Sequence, residues 1–212
     1  MGPEFRHTPA GADSANREAL ALLEKQGYAL VRKFYRMKIE MGAPAPAPVW
    51  PAGIGVRTNV PGIDDRAMYE ADQEAFQDHY GYVPVSLETW LHLIKTCPDF
   101  DPVLFFLAID LATGEIAGVS LCAPYLTESP DTGYLADLGV RRPYRRKGLG
   151  LALLRHTFGE LYRRGTTKVS LAVDSDSLTN AVALYERAGM HVYREFHRYE
   201  KELRPGRELT PH

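Results

Sequence analysis

The chain has 212 residues, of which 45% are hydrophobic and 25% charged, an ordinary composition for a globular protein. Its 25 Lys and Arg against 27 Asp and Glu give a formal net charge of −2, which argues against a general affinity for nucleic acid or anionic membranes. We see no apolar run long enough for a membrane helix, and the two cysteines lack metal-ligand spacing. We therefore expect a cytoplasmic protein with reduced thiols and no metal.

The front of the chain divides into a leader, a helix with a strand, and a linker. The opening MGPEF is typical of a cloning scar, so we expect residues 1–13 to be a leader or disordered. Residues 14–41, the front segment, hold an amphipathic helix followed by a strand. Residues 42–53 are rich in Ala and Pro, which predicts an extended, semi-rigid linker.

The main body, residues 54–205, alternates between strand and helix patterns. Strands are predicted at 53–60, 103–109, 115–123, 133–140 and 167–176, followed by two between 190 and 203. Helices are predicted to begin at Asp64 or Asp65, at Ser86, at Leu149 and at about Leu178. This order indicates an α/β (α+β) fold, a mixed twisted sheet of about six to seven strands with helices on both faces. Residues 206–212 are expected to be a tail.

The front segment repeats the end of the main body. When Gly27 is aligned with Gly189, EKQGYALVRKFYRMKIEM faces ERAGMHVYREFHRYEKEL. The identical positions are Glu24, Gly27, Arg32, Phe34, Arg36 and Glu40, which match Glu186, Gly189, Arg194, Phe196, Arg198 and Glu202. Six matches at one offset indicate an internal repeat, so we interpret the front segment as the last helix and strand of an upstream copy. Because its apolar face needs cover, we predict that it packs against the main domain, within the chain or by exchange in a homodimer.

The run RRPYRRKGLG, residues 141–150, joins a predicted strand to a predicted helix. Such a run is most often a solvated surface or a nucleic-acid patch. A nucleic-acid surface should recruit further basic stripes and exposed aromatic residues, and the sequence shows neither. A strand that leads through Arg-x-x-Gly-x-Gly into a helix directs several backbone N–H groups and the positive end of the helix dipole at one point. We therefore predict a pyrophosphate-binding loop and no nucleic-acid partner.

Two stretches resemble a known family. LGVRRPYRRKGLGLALL is similar to the acetyl-CoA loop of the GNAT superfamily of N-acyltransferases, (R/Q)-x-x-G-x-(G/A), and VSLAVDSDSLTNAVALYERAGM to its next strand and "LYE-x-x-GF" helix. The resemblance covers about residues 54–203 and implies the GNAT fold, acetyl-CoA as donor, and a small-molecule or peptide amine as acceptor. The repeat and its linker also resemble two-domain members such as mycothiol synthase.

The resemblance implies a set of residues that bind the donor. Pantetheine would pair with the backbone of the strand ending at residue 140, and the pyrophosphate would lie on the loop amides. The residues concerned are Leu138, Gly139, Val140, Arg145, Arg146, Lys147, Gly148, Leu149, Gly150 and Ser177. Ser177 or Leu178 stands where many members carry Asn before the last helix, which weakens one expected contact.

For catalysis, the resemblance implies Tyr185 as the acid that protonates the leaving thiolate. The alternative for Tyr185 is a core aromatic residue on an amphipathic helix. Ala172 stands where ribosomal-protein acetyltransferases carry a glutamate base, so the base must come from elsewhere or be a water chain. Asp137, between apolar neighbours on the cofactor strand, is the candidate, and its alternative is a structural Asp paired with an arginine.

Two functions from different classes remain open at this point. The first is acetyl transfer to an amine. The second is a non-catalytic module that binds acyl-CoA or regulates another protein, because no strong base is visible and one repeat is truncated. Tyr185 and Asp137 favour the enzyme.

Overall fold

The fold is built on one mixed sheet with helices on both faces, and the computed structural model describes residues 7–96, 101–125 and 129–203. The strands are β1 (His7–Asp13), β2 (Ala29–Glu40), β3 (Ile54–Thr58), β4 (Phe105–Asp110), β5 (Ile116–Ala123), β6 (Thr132–Val140), β7 (Lys168–Asp174) and β8 (His191–Glu202). The helices are α1 (Arg17–Lys25), α2 (Asp65–Phe76), α3 (Leu87–Lys95), α4 (Leu149–Arg163) and α5 (Ala181–Arg187). The sheet order is β1-β8-β2-β7-β6-β5-β4-β3.

Helices cover both faces of the sheet because its central strands are apolar on both sides. On one face, Leu153 and Phe158 of α4 pack into a core with residues of β4–β7. On the other face, Met68 of α2 and Trp90 of α3 pack over β4 and β5. β5 is buried along almost its whole length, and its one polar side chain, Ser120, shares a hydrogen bond with Thr157 of α4 at 2.7 Å. No helix within the described ranges is both long and apolar enough to cross a membrane.

The predicted α/β class and mixed sheet are confirmed, with two corrections to the strands. The sheet has eight strands rather than six to seven, because residues 7–13 form β1 instead of a leader or disordered segment. The two strands predicted between 190 and 203 are one strand, β8. β1 has the sequence HTPAGAD, which contains no strand signal, and it is a strand because it borders β8. Residues 1–6, Cys97 and the predicted tail 206–212 lie outside the described residues.

β2 and β8 pair around a local two-fold axis. Phe34 lies opposite Phe196 in the antiparallel ladder, and these are equivalent positions of the repeat. β1 borders β8 as β7 borders β2. Matching ion pairs close the two junctions, Arg32–Asp174 at 2.8 Å and Arg194–Asp13 at 3.2 Å. The front segment therefore contributes β2 to the sheet of its own chain, between β7 and β8.

β6 and β7 separate soon after they begin. They pair in parallel only from Thr132 to Tyr134, whereas β6 continues beside β5 as far as Val140. A register shift in the β5–β6 ladder leaves Ala136 as an extra residue, which bends β6 at this point. One edge of β6 beyond Tyr134 therefore has no ladder with β7, and the gap opens towards α4 and α5.

Candidate active site

A cavity of about 570 Å³ lies where β6 and β7 separate. Residues of β6, of the loop before α4, and of α4 and α5 line it. It includes most of the positions that the sequence predicts for the donor, namely Leu138, Gly139, Val140, Arg145, Arg146, Gly148, Leu149 and Gly150, together with Tyr185. An open strand edge, a glycine loop and a tyrosine therefore meet in one concave site, which is the usual form of a small-molecule pocket.

The loop that precedes α4 is shaped to bind an anion. Arg146 and Gly148 have positive φ angles of 61° and 83°, which curl the chain so that successive N–H groups converge. Gly148 is the N-cap of α4, and no side chain there accepts a hydrogen bond from the first turn. The N–H groups of that turn have no acceptors within the helix, and they carry its partial positive charge. The loop thus fits the phosphate chemistry predicted from its sequence.

The Arg145 side chain has a structural role that the sequence analysis did not identify. Its Nε donates a hydrogen bond to the Val140 carbonyl at 3.0 Å, and Nη2 donates to the Ala75 carbonyl at 3.1 Å. Nη1 forms an ion pair with Asp78 at 2.9 Å. Arg145 therefore ties the end of β6 to the end of α2. The charge at the rim of the loop comes from the exposed residues Arg146 and Lys147.

Three positions near the loop differ from what the resemblance implied. Lys147 lies outside the cavity lining, with Nζ 5.7 Å from the centroid of the Tyr144 ring. Ser177 lines a neighbouring cavity of about 310 Å³. Asn180 lines the main cavity instead, as the N-cap of α5 with a φ of 56° and no side-chain capping bond. We interpret Asn180 as the polar contact expected at Ser177, and an Asn just ahead of the "LYE" helix was the available signal.

Tyr185 lies in the wall of the cavity and is 8% exposed. Burial raises the pKa of its phenol above the ordinary value, and the nearby Asp137 and Tyr134 raise it further. The phenol therefore keeps its proton throughout the neutral range, which a proton donor requires. Tyr185 also packs in the core beside α4, so it serves the fold as well as facing the cavity.

Asp137 has a carboxylate neighbour that the sequence analysis missed, Asp72 of α2. Burial raises the pKa of both groups, and repulsion from Asp137 raises that of Asp72 further. Trp90 Nε1 donates a hydrogen bond to Asp72 Oδ2 at 3.0 Å, which holds this side chain in place. Two such carboxyl groups do not both ionise readily, and because burial and the charge of Asp137 both raise the pKa of Asp72, Asp72 is the member that favours the protonated form. The available signal was an aspartate on the apolar face of α2, between Met68 and Ala75.

This carboxyl pair predicts an unusual effect on stability. Because the pKa of Asp72 is higher in the folded than in the unfolded protein, the folded state loses stability as pH rises above the ordinary carboxyl range. Asp72→Asn keeps an oxygen for Trp90 and removes this cost. We expect the substitution to raise the free energy of unfolding by roughly 2 kcal/mol at pH 8 and by almost nothing at pH 4.

Urea unfolding at the two pH values measures the effect of Asp72→Asn. Glu70→Gln is the matched control on the same helix, because Glu70 is exposed and its ion pair with Arg66 contributes little. An Asp72→Asn protein that gains no more at pH 8 than at pH 4 contradicts the assignment of a protonated Asp72.

The class of protein follows from the family comparison. Residues 66–190 match the family model described as Acetyltransferase (GNAT) family. The match spans more than half of the chain and contains the loop, β6, β7 and the Tyr185 helix. The chain belongs to the GNAT acetyltransferase family.

Among curated proteins, the chain is similar to mycothiol acetyltransferases. It is 35% identical to that of Salinispora arenicola over 85% of this chain and 58% of the relative. It is 33% identical to that of Streptomyces coelicolor over 89% of this chain and 58% of the relative. The chain thus spans less than two thirds of the length of these relatives.

Among solved structures, a GCN5-related N-acetyltransferase from Sphaerobacter thermophilus is 41% identical, with a TM-score of 0.84 over 96% of this chain and 62% of that one. A tandem GNAT protein from the clavulanic acid biosynthesis pathway has a TM-score of 0.67 at 17% identity, over 95% of this chain and 65% of that one. The second likeness concerns the fold alone. Together the two support the GNAT architecture assigned here.

Proposed function

We propose that the protein transfers an acetyl group from acetyl-CoA directly to a primary amine of a small molecule or peptide. The observation that carries this proposal is the single cavity in which the anion-binding loop, the open edge of β6 and Tyr185 meet. The similarity to mycothiol acetyltransferases supports an amine as the acceptor. A small molecule is the kind of acceptor that this similarity favours.

The shape of the site suits the donor. The β6 backbone from Leu138 to Val140 lines the cavity after β7 has turned away, so its edge is open to an extended chain such as pantetheine. The amides from Arg146 to Gly150 converge where a pyrophosphate would lie. Asn180, the N-cap of α5, lines the same cavity.

Proton transfers by two residues complete the reaction. Asp137 takes the proton of the attacking amine as the new C–N bond forms, because its raised pKa still leaves it ionised in part of the neutral range. Tyr185 gives its phenol proton to the sulfur as the C–S bond breaks. The fixed walls of the cavity supply the remaining rate enhancement by holding amine and thioester together. Neither proton transfer requires a metal ion.

One experiment separates this enzyme from the alternative of a non-catalytic acyl-CoA-binding module. Calorimetric titration with acetyl-CoA measures donor binding, and the release of free thiol with a panel of primary amines measures transfer. We expect binding together with amine-dependent thiol release. Binding without release for any amine favours the module, and the absence of binding contradicts both.

Tyr185→Phe is expected to lower kcat by about tenfold with little change in acetyl-CoA affinity. The effect is modest for an acid catalyst because a thiol with a pKa near 8.5 is a good leaving group even without a proton donor. Phe keeps the packing of the ring in the core. Steady-state kinetics across pH give the comparison, and full turnover at every pH identifies Tyr185 as a core residue only.

A further inference from the structure

Arg36 of β2 is a half-buried cation, and the part of the chain that the structure describes offers it no carboxylate partner. Its guanidinium carbon lies 5.5 Å from the centroid of the Tyr134 ring. Tyr134 is the last residue of β6 that pairs with β7, where the two strands separate, and it also raises the pKa of the Tyr185 phenol. Arg36 therefore stands at the edge of the proposed catalytic centre, although it comes from the front segment.

The local two-fold axis provides an internal comparison for Arg36. Its equivalent in β8 is Arg198, which also stacks on a tyrosine, with its guanidinium carbon 5.6 Å from the centroid of the Tyr80 ring. Arg198 is neutralised by Glu200, two residues further along the same strand, at 3.2 Å. The equivalent of Glu200 in β2 is Lys38. The carboxylate that balances Arg198 is thus replaced by a second cation beside Arg36.

The residues around Arg36 add positive charge and leave space for a ligand. Arg194 lies directly opposite Arg36 in the β2–β8 ladder, and like charges in that position destabilise a sheet. Arg194 is balanced by Asp13 and Lys38 by Glu40, so the unbalanced charge lies on Arg36. On its other side Arg36 faces Ala172 of β7, a short and exposed side chain. A ligand could therefore reach the guanidinium through the space above Ala172.

We propose that Arg36 is the anion-recognising residue of the acceptor site, and that the acceptor is an amine that also carries a carboxylate or a phosphate. This inference rests on the proposed function, because it names the class of amine that the same site accepts. A guanidinium binds either anion through paired N–H donors and is desolvated at low cost beside an aromatic ring. The anion would fill the role that Glu200 fills for Arg198.

Matched acceptors test the proposal through kinetics. Alanine and ethylamine differ by a carboxylate, and phosphoethanolamine and ethanolamine differ by a phosphate. We expect the anionic member of at least one pair to be acetylated with at least ~10-fold higher kcat/KM, mainly through KM. The pair that shows the larger ratio identifies the anion.

Two substitutions and a control locate the effect. Arg36→Gln is expected to remove the preference by lowering kcat/KM for the amine that carries the anion far more than for its partner without one. Lys38→Glu leaves Arg36 in place but restores the carboxylate of the β8 pattern, so it should also reduce the preference. Arg198→Gln is the control, since that arginine is already balanced by Glu200 and should leave the preference unchanged.

A binding measurement keeps the inference separate from the proposed function. Protein saturated with CoA is titrated calorimetrically with each member of the two pairs, so that the phosphate loop is already occupied. If the amines with and without an anionic group are acetylated equally and bound equally, the Arg36 site is wrong and the proposed acetyltransferase function is unaffected. Anion-dependent binding that Arg36→Gln abolishes, without acetylation of any amine, supports the site and overturns the proposed function. If no amine is acetylated and none is bound preferentially, both proposals are wrong.

Discussion

Replacement of Gly148 by Leu is expected to weaken acetyl-CoA binding at least ~100-fold while the protein remains folded. Gly148 lines the cavity with a φ of 83°, and no heavy atom lies within 4 Å of the place where its β-carbon would stand. A side chain there meets no protein atom. It occupies the space through which an anion reaches the loop amides, and its own cost in the left-handed region is about 1–2 kcal/mol.

Calorimetry with acetyl-CoA measures the loss, and thermal unfolding checks the fold. Gly159→Leu is the control in the same helix, because its β-carbon also meets nothing within 4 Å but its φ is not positive. Gly148→Asn separates strain from obstruction, since Asn tolerates the left-handed region and still fills the space. Unchanged affinity for acetyl-CoA in both Gly148 variants contradicts the assignment of the loop to the pyrophosphate.

The main elements of the fold could be predicted because each carries its own local pattern. The apolar stripe of α4 and the continuous apolar run of residues 103–109, which includes most of β4, specify their structures without reference to neighbours. β1 could not be predicted in this way, because HTPAGAD is polar, small and interrupted by proline. Its pairing with β8 follows from the repeat, in which β1 takes the place of β7.

The candidate site likewise contains residues that a local motif predicts and residues that only the tertiary structure brings together. The loop and Tyr185 belong to contiguous motifs, so the sequence alone indicated them. Asp72 lies near Asp137 and Arg36 near Tyr134 although each comes from an element distant in sequence, and only the packing of α2 and the pairing of β2 with β7 bring them there. Arg145 shows the converse, because its position in the motif suggested a phosphate contact whereas its side chain ties α2 to β6.

Asp137→Asn is expected to lower kcat/KM by about 100-fold or more at neutral pH and to abolish the acid limb of its pH profile. In the unsubstituted enzyme the limb should lie above the ordinary carboxyl value of about 4, since burial raises the pKa of Asp137. Below that pKa the carboxyl group is protonated and cannot take the proton of the amine, so the rate falls as pH falls. An amide in its place has no such titration.

Asp72→Asn distinguishes the two carboxyl groups of the pair. If Asp72 keeps its proton while Asp137 ionises, replacing Asp72 by the neutral Asn leaves the charge seen by Asp137 unchanged, and the acid limb should stay where it is. Steady-state kinetics of both variants between pH 5 and 9, with one amine at concentrations corrected for its own ionisation, provide the comparison. An acid limb that survives in Asp137→Asn and disappears in Asp72→Asn would transfer the role of base to Asp72. A limb that survives in both variants would indicate that the base is neither residue of the carboxyl pair.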